Sequence, residues 1–160
     1  MTKQLKHITS TPFTSFMRFI FLLILVYIVG GIGGSFVSAD SLIWYNKLNL
    51  APLSPPNSWF GIAWGMLYFL MAYSAWMVWG QTTPRPFVLQ LAFNLLWPFL
   101  FFYMQAPILA LLDIILMVFF IILTIRKFGA VSKVSGWLMI PTLLWSLFAF
   151  YLNLFVVLYN

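Results

Sequence analysis

The chain has 160 residues, 64% of them hydrophobic and only 6% charged, with a formal net charge of +6. A water-facing globular surface carries roughly a quarter charged residues, so a soluble domain is excluded, and apolar runs near the roughly 20 residues that cross a bilayer mark an all-α integral membrane protein instead. The absence of cysteine excludes disulfides, thiolate metal sites and thiol nucleophiles, and the short alternating segments of a transmembrane β-barrel do not occur.

A tail of residues 1–15 carries Lys3, Lys6 and the single histidine, His7. The first hydrophobic segment covers about 16–37. Lys3, Lys6 and Arg18 ahead of an apolar run resemble a signal peptide, but the run is too long for a typical signal core and continues through Gly30-Gly31-Ile32-Gly33-Gly34, so a retained span is expected. A long loop follows, broken by Pro52, Pro55 and Pro56. The second segment covers about 59–79 and ends at Gly80, Pro84 and Pro86. The third covers about 87–103, and Gln105-Ala106-Pro107 then forms a very tight turn. The fourth covers about 108–125, and Arg126, Lys127, Gly129 and Lys133 mark the last connection. The fifth covers about 134–158. Residues 1–160 are thus expected to form one transmembrane domain, a five-helix bundle.

The basic residues orient it. With five spans, Lys3, Lys6, Arg18, Arg85, Arg126, Lys127 and Lys133 share one side, and Lys47 alone lies on the other. Short loops rich in Lys and Arg remain cytoplasmic, so the N-terminus is expected inside, and the first loop and Asn160 outside. The basic balance reports topology rather than nucleic-acid binding.

Polar residues within the spans are few. Asp113 lies about a turn and a half into the fourth segment. An ionisable group at that depth should face the bundle interior and find a partner, either as a proton relay or ligand contact, or as a structural hydrogen bond to a neighbouring helix. Gln90 and Asn94 share one face of the third segment, with Trp97 close to it. Pro98 then removes a backbone donor and is expected to bend the helix. Trp145, Ala149 and Asn153 repeat at helical spacing on the fifth segment, and Trp64, Tyr68 and Met71 share a face of the second. Trp44, Trp59, Trp79 and Trp137 lie near segment ends, as interfacial anchors do. Trp64, Trp97 and Trp145 do not. They either pack between helices or converge, with Asn94 nearby, on an apolar pocket for a flat ligand. The G-x-x-x-G pairs Gly30/Gly34 and Gly61/Gly65 have the spacing that lets helix backbones approach closely.

The sequence resembles the translocator protein family, also called tryptophan-rich sensory protein, TspO or the peripheral-type benzodiazepine receptor. The resemblance is carried by Trp44-Tyr45, by Pro55-Pro56 ahead of Phe60-Gly61-Ile62-Ala63-Trp64-Gly65-Met66-Leu67-Tyr68, and by Gln90-Leu91-Ala92-Phe93-Asn94-Leu95-Leu96-Trp97-Pro98. It continues through Leu112-Asp113, Val131-Ser132 and Pro141-Thr142-Leu143-Leu144-Trp145-Ser146-Leu147-Phe148-Ala149-Phe150-Tyr151-Leu152-Asn153, covering about residues 30–155. It implies a homodimeric five-helix bundle of a bacterial inner membrane, with a cavity opening toward the first loop, which acts as its lid. It further implies porphyrins such as protoporphyrin IX as ligands, with Trp64, Tyr68, Asn94, Trp97, Trp145 and Ala149 lining the cavity and Trp44 and Lys47 near its rim. Gln90, Asp113 and Asn153 are the accompanying intramembrane polar residues. Ala51-Pro52 replaces the Lys-Pro often found before the proline pair. Thr142 replaces the tyrosine that often follows Pro141, which puts affinity for the usual synthetic ligands in doubt. The eukaryotic sterol motif needs a basic residue after its tyrosine, but Asn160 follows Tyr159. Leu42, Tyr45 and Lys47 match a sterol pattern only loosely.

The favoured function is a tetrapyrrole-binding membrane receptor or sensor. It requires no cofactor or metal, and its partners are the ligand, the bilayer and a second copy. No axial histidine is expected in the cavity, so a metal-free porphyrin is the better fit. A transporter would use Asp113, Pro98 and Pro141, although no internal repeat is evident. An enzyme would lack any nucleophile–base pair, leaving only photo-oxidative porphyrin degradation with tryptophan as the redox partner.

Overall fold

The computed structural model describes residues 11–160. Lys3, Lys6 and His7, and the expectations that rest on them, lie outside the described residues. Seven α-helices and one π-helical turn are present, and no strand occurs among the described residues.

Helix α1 spans Pro12–Ser35. It begins four residues before the expected edge because Thr11 caps it, its hydroxyl accepting from the Thr14 amide, and Pro12 occupies a first-turn position where no amide is needed. The first loop is not irregular throughout. It contains α2 (Ala39–Tyr45), which sequence analysis did not anticipate, capped by the Ser38 hydroxyl on the Ser41 amide. Helix α3 spans Asn57–Met77 and stops before Gly80, whose φ of 71° suits glycine. Helix α4 spans Arg85–Pro98. Pro98 has no amide to donate, and the chain widens into a π-helical turn over Phe99–Tyr103 rather than ending. The turn at Gln105 has a φ of 50° and reverses the chain immediately before α5, Pro107–Val131.

Helix α5 corrects one expectation. Arg126, Lys127 and Gly129 are helical, not part of a connection. Both basic side chains are exposed at the helix end, where long charged side chains reach the interface without breaking the helix. The last span is likewise not continuous. Helix α6 (Lys133–Leu138) and α7 (Ile140–Tyr159) meet at Met139, just before Pro141, which cannot donate an amide to the preceding turn. Among the described residues five stretches are long and apolar enough to cross a membrane: Pro12–Ser35, Asn57–Met77, Arg85–Tyr103, Pro107–Val131 and Lys133–Tyr159.

The spans pack as a ring. α1 lies between α3 and α4, α4 against α5, and α5 against α6 and α7, and α3 closes the ring chiefly through α6. At that closure Ser74 Oγ donates to the Ser135 carbonyl and Ser135 Oγ to the Ser74 carbonyl, both at 2.8 Å. Gly136 lies against Gly129: a Cβ on Gly136 would fall 2.9 Å from the Gly129 Cα. Trp76 Nε1 donates to the Ser15 carbonyl, and the Arg18 guanidinium lies over the Trp79 ring. These contacts tighten the end of the bundle that carries Arg18, Arg85, Arg126, Lys127 and Lys133.

The opposite end is held differently. The Asn49 amide donates to Asn160 Oδ1 at 2.8 Å, and Asn49 Nδ2 donates to the Tyr159 carbonyl at 2.9 Å, joining the first loop to the end of α7. α7 and the first loop therefore share a face of the bundle, with Lys47 exposed beside them. Because α3 meets the last span mainly at the basic end, the helices leave space at this one.

Candidate cavity between α1, α3 and α4

That space is a cavity of about 500 Å³, within the roughly 300–1,000 Å³ that small-molecule sites occupy. α1 contributes Tyr27 and the glycines Gly30, Gly31, Gly33 and Gly34 to its wall. α3 contributes Asn57, Phe60, Gly61, Trp64, Gly65 and Tyr68, and α4 contributes Asn94, Trp97 and Pro98. Leu42 and Tyr45 of α2 lie over the loop end. Among the described residues no charged side chain lines it.

The wall is built of rings braced by hydrogen bonds. Trp64 stacks on Tyr68 with centroids 5.8 Å apart and planes 27° from parallel. The Tyr68 hydroxyl donates to Asn94 Oδ1 at 2.6 Å, and Asn94 Nδ2 donates to Met117 Sδ at 3.7 Å. Asn94 thus links α3 to α5 and fixes the ring beneath Trp64. Tyr27 donates its hydroxyl to the Gly65 carbonyl at 2.8 Å, joining α1 to α3. Trp97 Nε1 donates to Asn153 Oδ1 at 3.2 Å, and Asn153 Nδ2 donates to the Pro107 carbonyl at 2.8 Å, so one buried asparagine ties α4, α5 and α7 together. Tyr45 packs against Phe101 and Phe102 under the loop. Burial pushes its phenol above the usual range, and the nearby Ser54 hydroxyl offsets part of that rise.

Of the residues singled out in the sequence, Trp64, Tyr68, Asn94 and Trp97 come together on this cavity. Trp145 and Ala149 do not line it. Ala149 and Asn153 face a smaller adjoining space, which shares Tyr45, Phe60, Trp97 and Phe102 with the main cavity. Trp145 packs against Phe60 and Phe148, with centroids 5.9 and 5.6 Å away, and its buried Nε1 has no hydrogen-bond partner among the described residues. Trp64 and Trp145 therefore are not two walls of one pocket: helical spacing put Trp145 on an inward face but did not say which neighbour that face meets. Trp44 is half-buried against Phe101, and Lys47 is exposed just beyond Tyr45; neither lines the cavity. Trp59, Trp79 and Trp137 are exposed at helix ends.

Gln90 is buried and donates Nε2 to Met71 Sδ at 3.6 Å, while its Oε1 has no partner among the described residues. Asp113 faces the bundle interior, only 4% exposed, yet among the described residues neither carboxylate oxygen has a hydrogen-bond partner. The expected bond to a neighbouring helix is not formed. The glycine pairs also differ from expectation. Gly30 does lie against a neighbour, the Tyr68 ring, but a Cβ on Gly34, Gly61 or Gly65 would meet nothing within 4 Å. Those three form cavity wall rather than a backbone crossing. Tyr27, Phe60, Asn57 and Phe102 also line the cavity, although their sequence positions did not mark them as site residues. Tyr27 follows the period of α1, but nothing in its spacing indicated that its hydroxyl would reach the next helix.

A profile of the TspO/MBR family matches residues 21–158. The chain is 40% identical over 144 residues to the tryptophan-rich protein TspO of Archaeoglobus fulgidus, covering 86% of this chain and 94% of that one. It is 34% identical over 140 residues to the tryptophan-rich protein TspO of Chlorobaculum tepidum, covering 82% and 89%. It is 33% identical over 131 residues to the translocator protein of Homo sapiens, covering 76% and 78%.

Proposed function

The chain belongs to the TspO/MBR family, and from that premise we propose that it is a membrane receptor that takes a flat, largely apolar tetrapyrrole of the protoporphyrin IX kind into the cavity between α1, α3 and α4. The observation that carries this reading is the stack of Trp64 on Tyr68, held in place by the Tyr68–Asn94 hydrogen bond in a wall without charged residues. Aromatic faces attract flat rings by offset stacking, and a braced ring loses little freedom on binding. The names of the relatives, tryptophan-rich sensory protein in Cereibacter sphaeroides and translocator protein in Homo sapiens, support a receptor or transport role.

The lining suits a metal-free ring. Among the described residues no histidine, cysteine or methionine lines the cavity, so the common axial ligands are not offered there. The Tyr27 and Tyr68 hydroxyls are engaged as donors to Gly65 and Asn94. The propionates of such a ring would remain at the loop end, where Lys47 is exposed. The positive-inside rule puts that end outside and the basic end in the cytoplasm of a bacterial cell, and the family resemblance is what supports a homodimer.

The test is a titration of purified protein in nanodiscs with protoporphyrin IX in darkness, following quenching of tryptophan emission. Saturable quenching at one site per chain supports the reading; quenching that only rises linearly with porphyrin refutes it. Transport is the second reading, favoured by the unpartnered buried carboxylate of Asp113. Proton-dependent porphyrin flux in sealed vesicles separates it from reception alone. Repeating the titration in light and oxygen separates binding from photo-oxidation of the ligand.

A further inference from the structure

We infer that the cavity is loaded sideways from the bilayer, through a slot between α1 and α3, and not from water beneath the first loop. The inference rests on the ligand reading above and specifies the route and the ligand's solvent: an apolar molecule already dissolved in the membrane.

Four observations carry it. First, the loop end is covered. Leu42 and Tyr45 of α2 lie over the cavity, Tyr45 is buried on Phe101 and Phe102, and the Asn49–Asn160 hydrogen bonds clasp the loop to α7. Second, Gly31, Gly34 and Gly61 line the cavity and are also exposed, so the cavity reaches the outer surface of the bundle between these two helices. Third, a Cβ at Gly31, Gly34, Gly61 or Gly65 would meet nothing within 4 Å. Glycine here leaves space open instead of admitting a neighbouring backbone. Fourth, the adjoining helix faces carry Ile28, Ile32, Ile62 and Met66, all exposed and apolar. Such a rim faces acyl chains, not water.

The packing explains the shape. Toward the basic end, α1 and α3 are sealed by Val26, Leu67, Met71 and Ala72, all buried. Toward the loop end the two helices present glycine to each other and the seal is lost. The Tyr27 hydroxyl, bonded to the Gly65 carbonyl, crosses the seam where the sealed and open halves meet. From Asn57 to Gly65 the helix rises about 12 Å, so the slot reaches well into the leaflet on the loop side. A flat ring can pass edge-on through such a slot and turn onto the Trp64–Tyr68 stack.

The test follows binding kinetics. Protoporphyrin IX is supplied from liposomes to the protein in nanodiscs, and tryptophan quenching is followed by stopped flow. Gly31→Leu and Gly61→Leu place side chains in the slot, and Gly61→Ala serves as a milder variant with an open position for its methyl group. Association and dissociation should both slow by about tenfold or more in the leucine variants, because a blocked portal affects both directions, whereas a disturbed binding surface speeds dissociation. Unchanged rates would overturn the lateral route while leaving the binding reading intact. Faster dissociation with little change in association would place these glycines in the binding surface, and would also overturn it. Failure of the unaltered protein to bind would remove both the reading and the inference. A single thiol at Gly61→Cys, in a chain without cysteine, gives a second readout. Labelled with a nitroxide in detergent and returned to nanodiscs, that position should be relaxed by oxygen dissolved in the bilayer rather than by a water-soluble nickel chelate, and bound porphyrin should reduce that access. Disulfide-linked dimers through that thiol would identify the seam as a subunit interface and overturn the proposal.

Discussion

Replacing Asn153 with leucine isolates the hydrogen bonds that tie three spans together. Leucine keeps the branched outline of asparagine and leaves no cavity, although it is bulkier, and both polar links are lost. Trp97 Nε1 loses its acceptor at 3.2 Å, and the Pro107 carbonyl loses a donor at 2.8 Å. Interhelical hydrogen bonds within membranes average about 0.6 kcal/mol and reach about 1.7, so two should cost about 1–3 kcal/mol. The Pro107 carbonyl begins an α-helix and keeps its ordinary helical role as an acceptor, so most of the loss should fall on Trp97. Equilibrium unfolding in mixed micelles measures the total. A double-mutant cycle with Trp97→Phe isolates the Trp97–Asn153 bond and should give a coupling of about 0.6–1.7 kcal/mol. A coupling indistinguishable from zero would refute the assignment of Asn153 as the link between α4 and α7.

Gly136→Ala should destabilise by about 1–3 kcal/mol in the same assay, because its Cβ would meet the Gly129 Cα at 2.9 Å and backbone cannot swing aside. Gly61→Ala, in open space, should be neutral or stabilising by up to about 1 kcal/mol. Asp113→Leu should stabilise by about 1–3 kcal/mol, since it removes two buried oxygens without partners; a loss of stability in micelle unfolding would show that the carboxyl has a partner in the membrane. A reporter fused after Asn160 and active only in the cytoplasm should stay silent; activity would reverse the proposed topology.

The five spans were legible because their apolar runs approach the thickness of a bilayer, and Pro98 announced the departure from regular helix that follows it. What escaped was set by interactions without a local signature. Helix α2 is only seven residues long, and the Ser38 cap that starts it looks like any loop serine. Arg126 and Lys127 read as a connection because their charge is visible in the sequence, whereas their ability to reach the interface from within a helix is not. The G-x-x-x-G spacing is identical whether glycine admits a backbone or leaves a hole. Gly61 and Gly65 leave a hole, while the close backbone approach lies at Gly129 and Gly136, which share no such motif. Periodicity placed Trp64, Asn94 and Trp145 on inward faces. Only packing separated Trp64, on the cavity, from Trp145, against Phe60 and Phe148.

That separation supplies the most direct test of the central claim, that the Trp64–Tyr68 wall binds a flat apolar ligand. Protoporphyrin IX affinity is measured in darkness for Trp64→Ala and Trp145→Ala in nanodiscs, using porphyrin absorbance so that the lost tryptophan does not alter the signal. Stacking on a flat ring is worth about 1–3 kcal/mol, so Trp64→Ala should weaken binding by about 5- to 150-fold. Trp145→Ala, which removes a ring outside the cavity, should leave Kd within about threefold. Equal affinity in Trp64→Ala and the unaltered protein, or a larger loss in Trp145→Ala, would contradict the account and place the ligand elsewhere in the bundle.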